Sequence, residues 1–198
     1  MLFRSVEGNL AVYSSHLPLD AHPKFGNNIL LARALGLKET KPFFFEKGRH
    51  LGVRGNLKIS RDELARRLEK ATGLAPKILP GGGEVCRKIG IVTGGAGAEM
   101  KVAASEGVDT FITGEGPHWT FAMAEELGLN VFYGGHYATE TFGVKALAAH
   151  VARHVVEDHH GAAVVAPLAQ RRVGDAHHGP GQLELQGRRD GEIGRAHV

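Results

Sequence analysis

Ile89-Gly90-Ile91-Val92-Thr93-Gly94-Gly95 decides the fold, because its form returns twice downstream. Thr110-Phe111-Ile112-Thr113-Gly114-Glu115 and Asn130-Val131-Phe132-Tyr133-Gly134-Gly135 are likewise short apolar runs that break at glycine. Each leads into a helix-like segment. The first ends near Gly107, the second has Pro117 near its first turn and Gly128 past its end, and the third begins at His136. Strand, glycine turn and helix, repeated at a spacing of roughly twenty residues, predict an α/β fold with parallel strands and covering helices.

Working upstream, Ser60-Arg61-Asp62-Glu63 reads as a capping box. It opens a helix with Leu64, Ala65, Leu68, Ala71 and Thr72 on one stripe and Gly73 at its end. Phe43-Phe44-Phe45 and Leu51-Gly52-Val53-Arg54-Gly55 read as short strands near an irregular region. Gly26-Asn27-Asn28 is expected to cap a helix that runs through Leu35 and stops at Gly36. Asn9-Leu10-Ala11-Val12-Tyr13 reads as a buried strand.

The 198 residues suit one domain, or two small ones, with a real core. Apolar residues make up 42% and charged residues 23%, as in ordinary globular chains. No apolar run approaches the roughly 18 residues of a membrane span, and no secretory signal is visible at the start. The formal charge of +3, without a basic stripe in the organised middle, gives nucleic-acid binding little support. Cys86 is the only cysteine, which rules out an internal disulfide and suits a reducing, cytoplasmic setting.

Leu2-Phe3-Arg4-Ser5 and Glu192-Ile193-Gly194-Arg195-Ala196-His197-Val198 resemble translated adaptor DNA. The expectation is a non-native start over 1–8, an organised α/β domain over 9–154 and a tail over 155–198. In that tail His159-His160 and His177-His178 read as solvated histidines, and Ala162-Ala163-Val164-Val165-Ala166 as a candidate extra strand.

Ligands of open α/β sheets bind beyond the carboxyl ends of strands. Asp20, Thr93, Glu115 and His136 are all read there. In Gly135-His136-Tyr137-Ala138-Thr139-Glu140, His136 and Glu140 fall one helical turn apart on one face. An imidazole and a carboxylate so placed can share a transition-metal ion, the plain alternative being a hydrogen-bonded pair. Asp20 is the third candidate donor, or else a turn-forming aspartate before Pro23. His16 is a ligand, a partner orienting one, or a core histidine. Glu115 is a candidate acid or base, or a carboxylate suited to a helix N-terminus. His118 and Trp119 are candidates to face the same cleft. Thr93-Gly94-Gly95-Ala96-Gly97-Ala98 could offer amides to a phosphate but lacks the Lys-Ser/Thr of a P-loop.

These stretches together resemble the GTP cyclohydrolase I type-two homologues, also called NGG-one-interacting-factor-three-like proteins. The resemblance rests on Tyr13-Ser14-Ser15-His16-Leu17-Pro18-Leu19-Asp20-Ala21-His22-Pro23, Gly26-Asn27-Asn28, Val92-Thr93-Gly94-Gly95, Phe111-Ile112-Thr113-Gly114-Glu115 and Gly135-His136-Tyr137-Ala138-Thr139-Glu140. It implies a two-lobed α/β protomer, a toroidal homo-hexamer and a dinuclear centre of zinc, iron or manganese. By resemblance Asp20, His136 and Glu140 are metal ligands, with Glu115 and His16 in catalytic or orienting roles. The family's adjacent His-His ligand pair is expected upstream of Asn9, in a region this chain lacks, so the chain reads as an N-terminally shortened piece that binds metal weakly or not at all. The implied activity is metal-dependent hydrolysis, with a nucleotide as possible substrate. The alternative is a non-enzymatic metal-binding ring that serves as a protein or nucleic-acid scaffold.

Overall fold

The computed structural model describes residues 6–9, 12 and 14–158. Its elements are α1 (Leu17–Asp20), α2 (Asn27–Leu35), β1 (Lys38–Glu46), β2 (Arg49–Ser60), α3 (Arg61–Thr72), β3 (Lys77–Pro80) and β4 (Val85–Ile91). A 3-10 turn (Gly97–Glu99) then leads to α4 (Met100–Ser105), β5 (Thr110–Thr113), α5 (Thr120–Glu126), β6 (Asn130–Tyr133), α6 (His136–Thr139) and α7 (Thr141–Asp158). The readings at His159-His160, His177-His178 and 162–166 lie outside the described residues.

The fold is α/β, as the strand-helix repeats predict. Among the described residues six strands form one sheet in the order β1-β2-β4-β5-β6-β3, with β1 and β3 outermost. The three repeats supply its parallel centre: Ile91 pairs with Ile112, and Thr113 with Tyr133. The other neighbours are antiparallel.

Both faces of the central strands are buried, so each strand feeds two cores by alternation. Phe111 and Val131 point into one, with Phe43, Phe44, Met100 and Ala124. Ile112 and Phe132 point into the other, with Leu31, Leu35, Leu64, Leu68, Ile89 and Ile91. In the first core the Phe44 and Phe111 rings stack at 5.8 Å, and Phe43 meets Phe44 edge-on at 5.9 Å.

The structure corrects several sequence-based boundaries. The two short strands are one long hairpin. Lys47 and Gly48, at φ 51° and 76°, form its two-residue turn, the left-handed pair that matches strand twist. Pro42 and a run of charged residues hide β1 from pattern reading, because its outer positions face solvent. β3 was not anticipated, and β4 begins at Val85. Asn9 and Val12, the described residues of the expected first strand, are not in a strand, and Val12 is exposed. The helix after Pro117 starts only at Thr120, whose amide and hydroxyl both bond to the Pro117 carbonyl.

The cap readings hold in part. Gly36 ends α2 at φ 84°, but Asn27 and Asn28 make no cap bond. Ser60 accepts the Glu63 amide at 3.2 Å, whereas the Glu63 carboxylate turns to Arg66 and Arg67. Those arginines hold its carboxyl below the usual range.

Candidate metal centre

Asp20 is the last residue of α1, a single turn with proline in its first positions. Its side chain is 12% exposed. Oδ1 accepts a 2.6 Å hydrogen bond from Asn27 Nδ2, and Oδ2 faces His16 Nε2 at 3.9 Å. Asn27 Oδ1 in turn accepts the Gly143 amide at 2.6 Å, tying α7 to α1. Asn28 is buried and does more. Its amide donates to the carbonyls of Asp20 and Leu51, and its oxygen accepts the Thr93 amide. The asparagine pair read as caps thus joins the Asp20 turn to the end of β4.

His136 and Glu140 bracket α6, which is only one turn long, and Glu140 stands as its C-cap. Their shared face survives: the Glu140 amide donates to the His136 carbonyl, and His136 Nε2 lies 3.7 Å from Glu140 Oε2. The other carboxylate oxygen, Oε1, lies 4.0 Å from His16 Nε2. Donor atoms of His16, Asp20 and Glu140 all fall within 4.8 Å of one another. His136 joins this trio through Glu140. His16 is exposed, so it is not a core histidine.

Glu115, two residues past β5, reaches His136 instead of standing alone. Its Oε1 lies 2.7 Å from His136 Nδ1. That contact raises the imidazole pKa above its ordinary value. Burial opposes the shift, and the nearby charge of Glu140 adds to it. His118 and Trp119 are exposed and make no hydrogen bond to these residues.

Backbone geometry decides how close these groups can come. Gly94 has φ 80°, and a Cβ there would strike Glu140 Oε1. Its amide donates to Thr139 Oγ1 at 3.1 Å, and its carbonyl accepts the Gly114 amide at 2.7 Å. Thr139 also donates to α6 carbonyls, so its buried hydroxyl fixes the turn that carries both His136 and Glu140. Sequence reasoning missed Asn27, Asn28 and Thr139 as site supports. The available signal was polar residues at helix ends, Asn27 and Asn28 opening α2 and Thr139 closing α6.

The donor chemistry fits divalent metal. Two ligands at about 2.1 Å from one tetrahedral ion lie about 3.4 Å apart. The His16–Asp20, His16–Glu140 and His136–Glu140 separations of 3.9, 4.0 and 3.7 Å would each have to close by some tenths of an ångström.

Comparison with known proteins gives the family. Residues 1–170 match the family model described as Duf34/NIF3 (NGG1p interacting factor 3). The chain is 40% identical over 149 residues to a GTP cyclohydrolase 1 type 2 homolog of Deinococcus radiodurans, covering 74% of this chain and 57% of that one. A homolog of the same description from Haemophilus influenzae is 41% identical, with 73% and 59% covered. Among solved structures, TTHA1606 from Thermus thermophilus superposes with a TM-score of 0.68 at 39% identity, covering 77% of this chain and 60% of that one. The chain therefore spans under two thirds of these relatives' length.

Proposed function

The chain belongs to the Duf34/NIF3 family, and on that premise we propose that its site is one wall of a divalent-metal centre serving a hydrolytic reaction. The observation that carries this reading is Glu140, whose two oxygens face different imidazoles, His16 and His136. A carboxylate so flanked would hold divalent metal together with the histidines on either side of it.

Asp20 would be the second acidic ligand, held by Asn27 and stripped of most water. His136 would bind through Nε2, because Nδ1–H donates to Glu115 and leaves Nε2 with its lone pair free. A carboxylate on the far nitrogen fixes the tautomer and ring angle of a ligating histidine. Bound divalent ions supply an acidified water and charge stabilisation for a substrate oxygen. Glu115, 63% exposed, also has room to accept or return a proton. His16, Asp20, His136 and Glu140 are four donors. Shared between two ions they leave each short of a full shell, so binding by this chain is weak but saturable.

Cobalt(II) titration of the metal-stripped chain tests the reading. Saturable visible absorption, lost in both Asp20→Asn and Glu140→Gln at unchanged melting temperature, is expected. Equal absorption in the variants would overturn it.

A further inference from the structure

A second cavity, of about 390 Å³, opens on the other side of Asp20. Its walls include His22, Arg33, Lys41 and His50, with an apolar patch from Ile29 and Val53. Asp20 lines both this cavity and the one of about 240 Å³ that holds His16 and Glu140.

The charges here are unbalanced. Arg33 donates only to the carbonyls of Lys24 and Pro23, at 3.3 and 3.5 Å. Neither Arg33 nor Lys41 has an ion-pair partner among the described residues. His22 Nδ1 accepts the amides of Lys24 and Phe25, so the neutral ring carries its proton on Nε2 as a donor. Asp20 is the one carboxylate in the lining among the described residues, and its oxygens are directed to Asn27 and His16. Another cleft, of about 270 Å³, shares Lys41 with this one and adds the cations Arg54 and Lys88. There Glu39 and Glu106 lie among them, and Arg54 already donates to the Glu106 carbonyl.

From this we infer that the cavity behind Asp20 binds the phosphate of a small phosphomonoester. Arg33 and Lys41 neutralise the dianion, His22 donates a further hydrogen bond, and Ile29 and Val53 receive the apolar body. An arginine fork and a lysine point charge are the usual pair for phosphate. The volume lies within the roughly 300–1,000 Å³ of small-molecule sites. That the ester's far end reaches the metal across Asp20 rests on the proposed metal centre. The phosphate contacts themselves do not, because they are made by the chain's own cations.

The test is calorimetric titration of the full chain in EDTA with phenyl phosphate, with benzoate and inorganic phosphate as comparators. Phenyl phosphate is expected to bind more tightly than either. Affinity should fall about tenfold in Arg33→Gln and in Lys41→Gln, the loss of one charge-assisted hydrogen bond each. The exposed control Lys101→Gln, outside the cavity lining, should leave it unchanged. Benzoate binding as tightly as phenyl phosphate, or equal losses in Lys101→Gln, would overturn the assignment. So would binding that appears only with added metal and survives Arg33→Gln, which would leave the metal centre standing. Phosphate binding in EDTA by a chain that takes up no cobalt would remove the metal reading and keep this one.

Discussion

His136 Nδ1 lies 2.7 Å from Glu115 Oε1, an imidazole and a carboxylate carried past the ends of two adjacent parallel strands. The pair forms because β5 and β6 run side by side in register, so residues a similar distance beyond each strand arrive at one place. One ring nitrogen is thereby engaged and the other turned toward Glu140.

Replacing Glu115 with glutamine should weaken metal uptake by about 10- to 100-fold, the usual cost of losing a histidine's outer partner. The side chain is mostly exposed, so the melting temperature should hardly move. Competition with a chromogenic chelator measures the first quantity and circular dichroism the second.

The His136 pKa should stand above its ordinary 6.5 in the metal-free chain and return toward it in Glu115→Gln. Because the folded value is raised, the stability this group adds is fully present below 6.5 and fades as pH rises through the folded value. Metal uptake has the opposite slope, since the ligating ring must be neutral. Proton NMR of the His136 ring across pH reads the shift directly.

Asn28→Ala should be the most damaging single change near the site. It leaves the Thr93 amide and the Asp20 and Leu51 carbonyls without their buried partner. The expected loss is about 2–4 kcal/mol in urea unfolding. An effect under about 0.5 kcal/mol, the range of a neutral surface change, would show that the bridge is not structural.

Gly90→Ala should be destabilising by about 1–3 kcal/mol, because the new methyl would press on the Phe43 ring in a full core. Gly83→Ala meets nothing within 4 Å and serves as the neutral comparison.

Cys86 is buried, and its burial pushes the thiol pKa up. Alkylation should be slow in the native chain and fast in denaturant. The raised value also means that this group's contribution to stability is present below pH 9.0 and erodes above it. Equal reaction rates in both states would show that the site is open.

The parallel centre was legible because β5 and β6 are four-residue runs with every residue buried, bounded by glycine. The hairpin was half legible. Phe43 and Phe44 announce a core, but Lys38, Glu39, Thr40 and Lys41 carry no apolar rhythm, since those positions face outward. At the site, the one-turn spacing of His136 and Glu140 and the places of Glu115 and His136 past β5 and β6 were legible. Asp20, by contrast, was read past a strand at 9–13 whose described residues form none, and it meets His16 and Glu140 from the short helix α1. What short-range pattern could not give is the support beneath them. Asn28 to Thr93 spans 65 residues and Asn27 to Gly143 spans 116, so those bonds exist only once the sheet has formed.

The outermost strands carry a further consequence. β1 bears Lys38, Lys41 and Pro42, with a break in register between Lys38 and Lys41, and β3 bears Lys77 and Pro80. An incoming chain that tried to lengthen the sheet would meet desolvated ammonium groups and, at each proline, a missing amide donor. The rim of this molecule resists fibril-like stacking through its own chemistry, whatever else comes to lie against it.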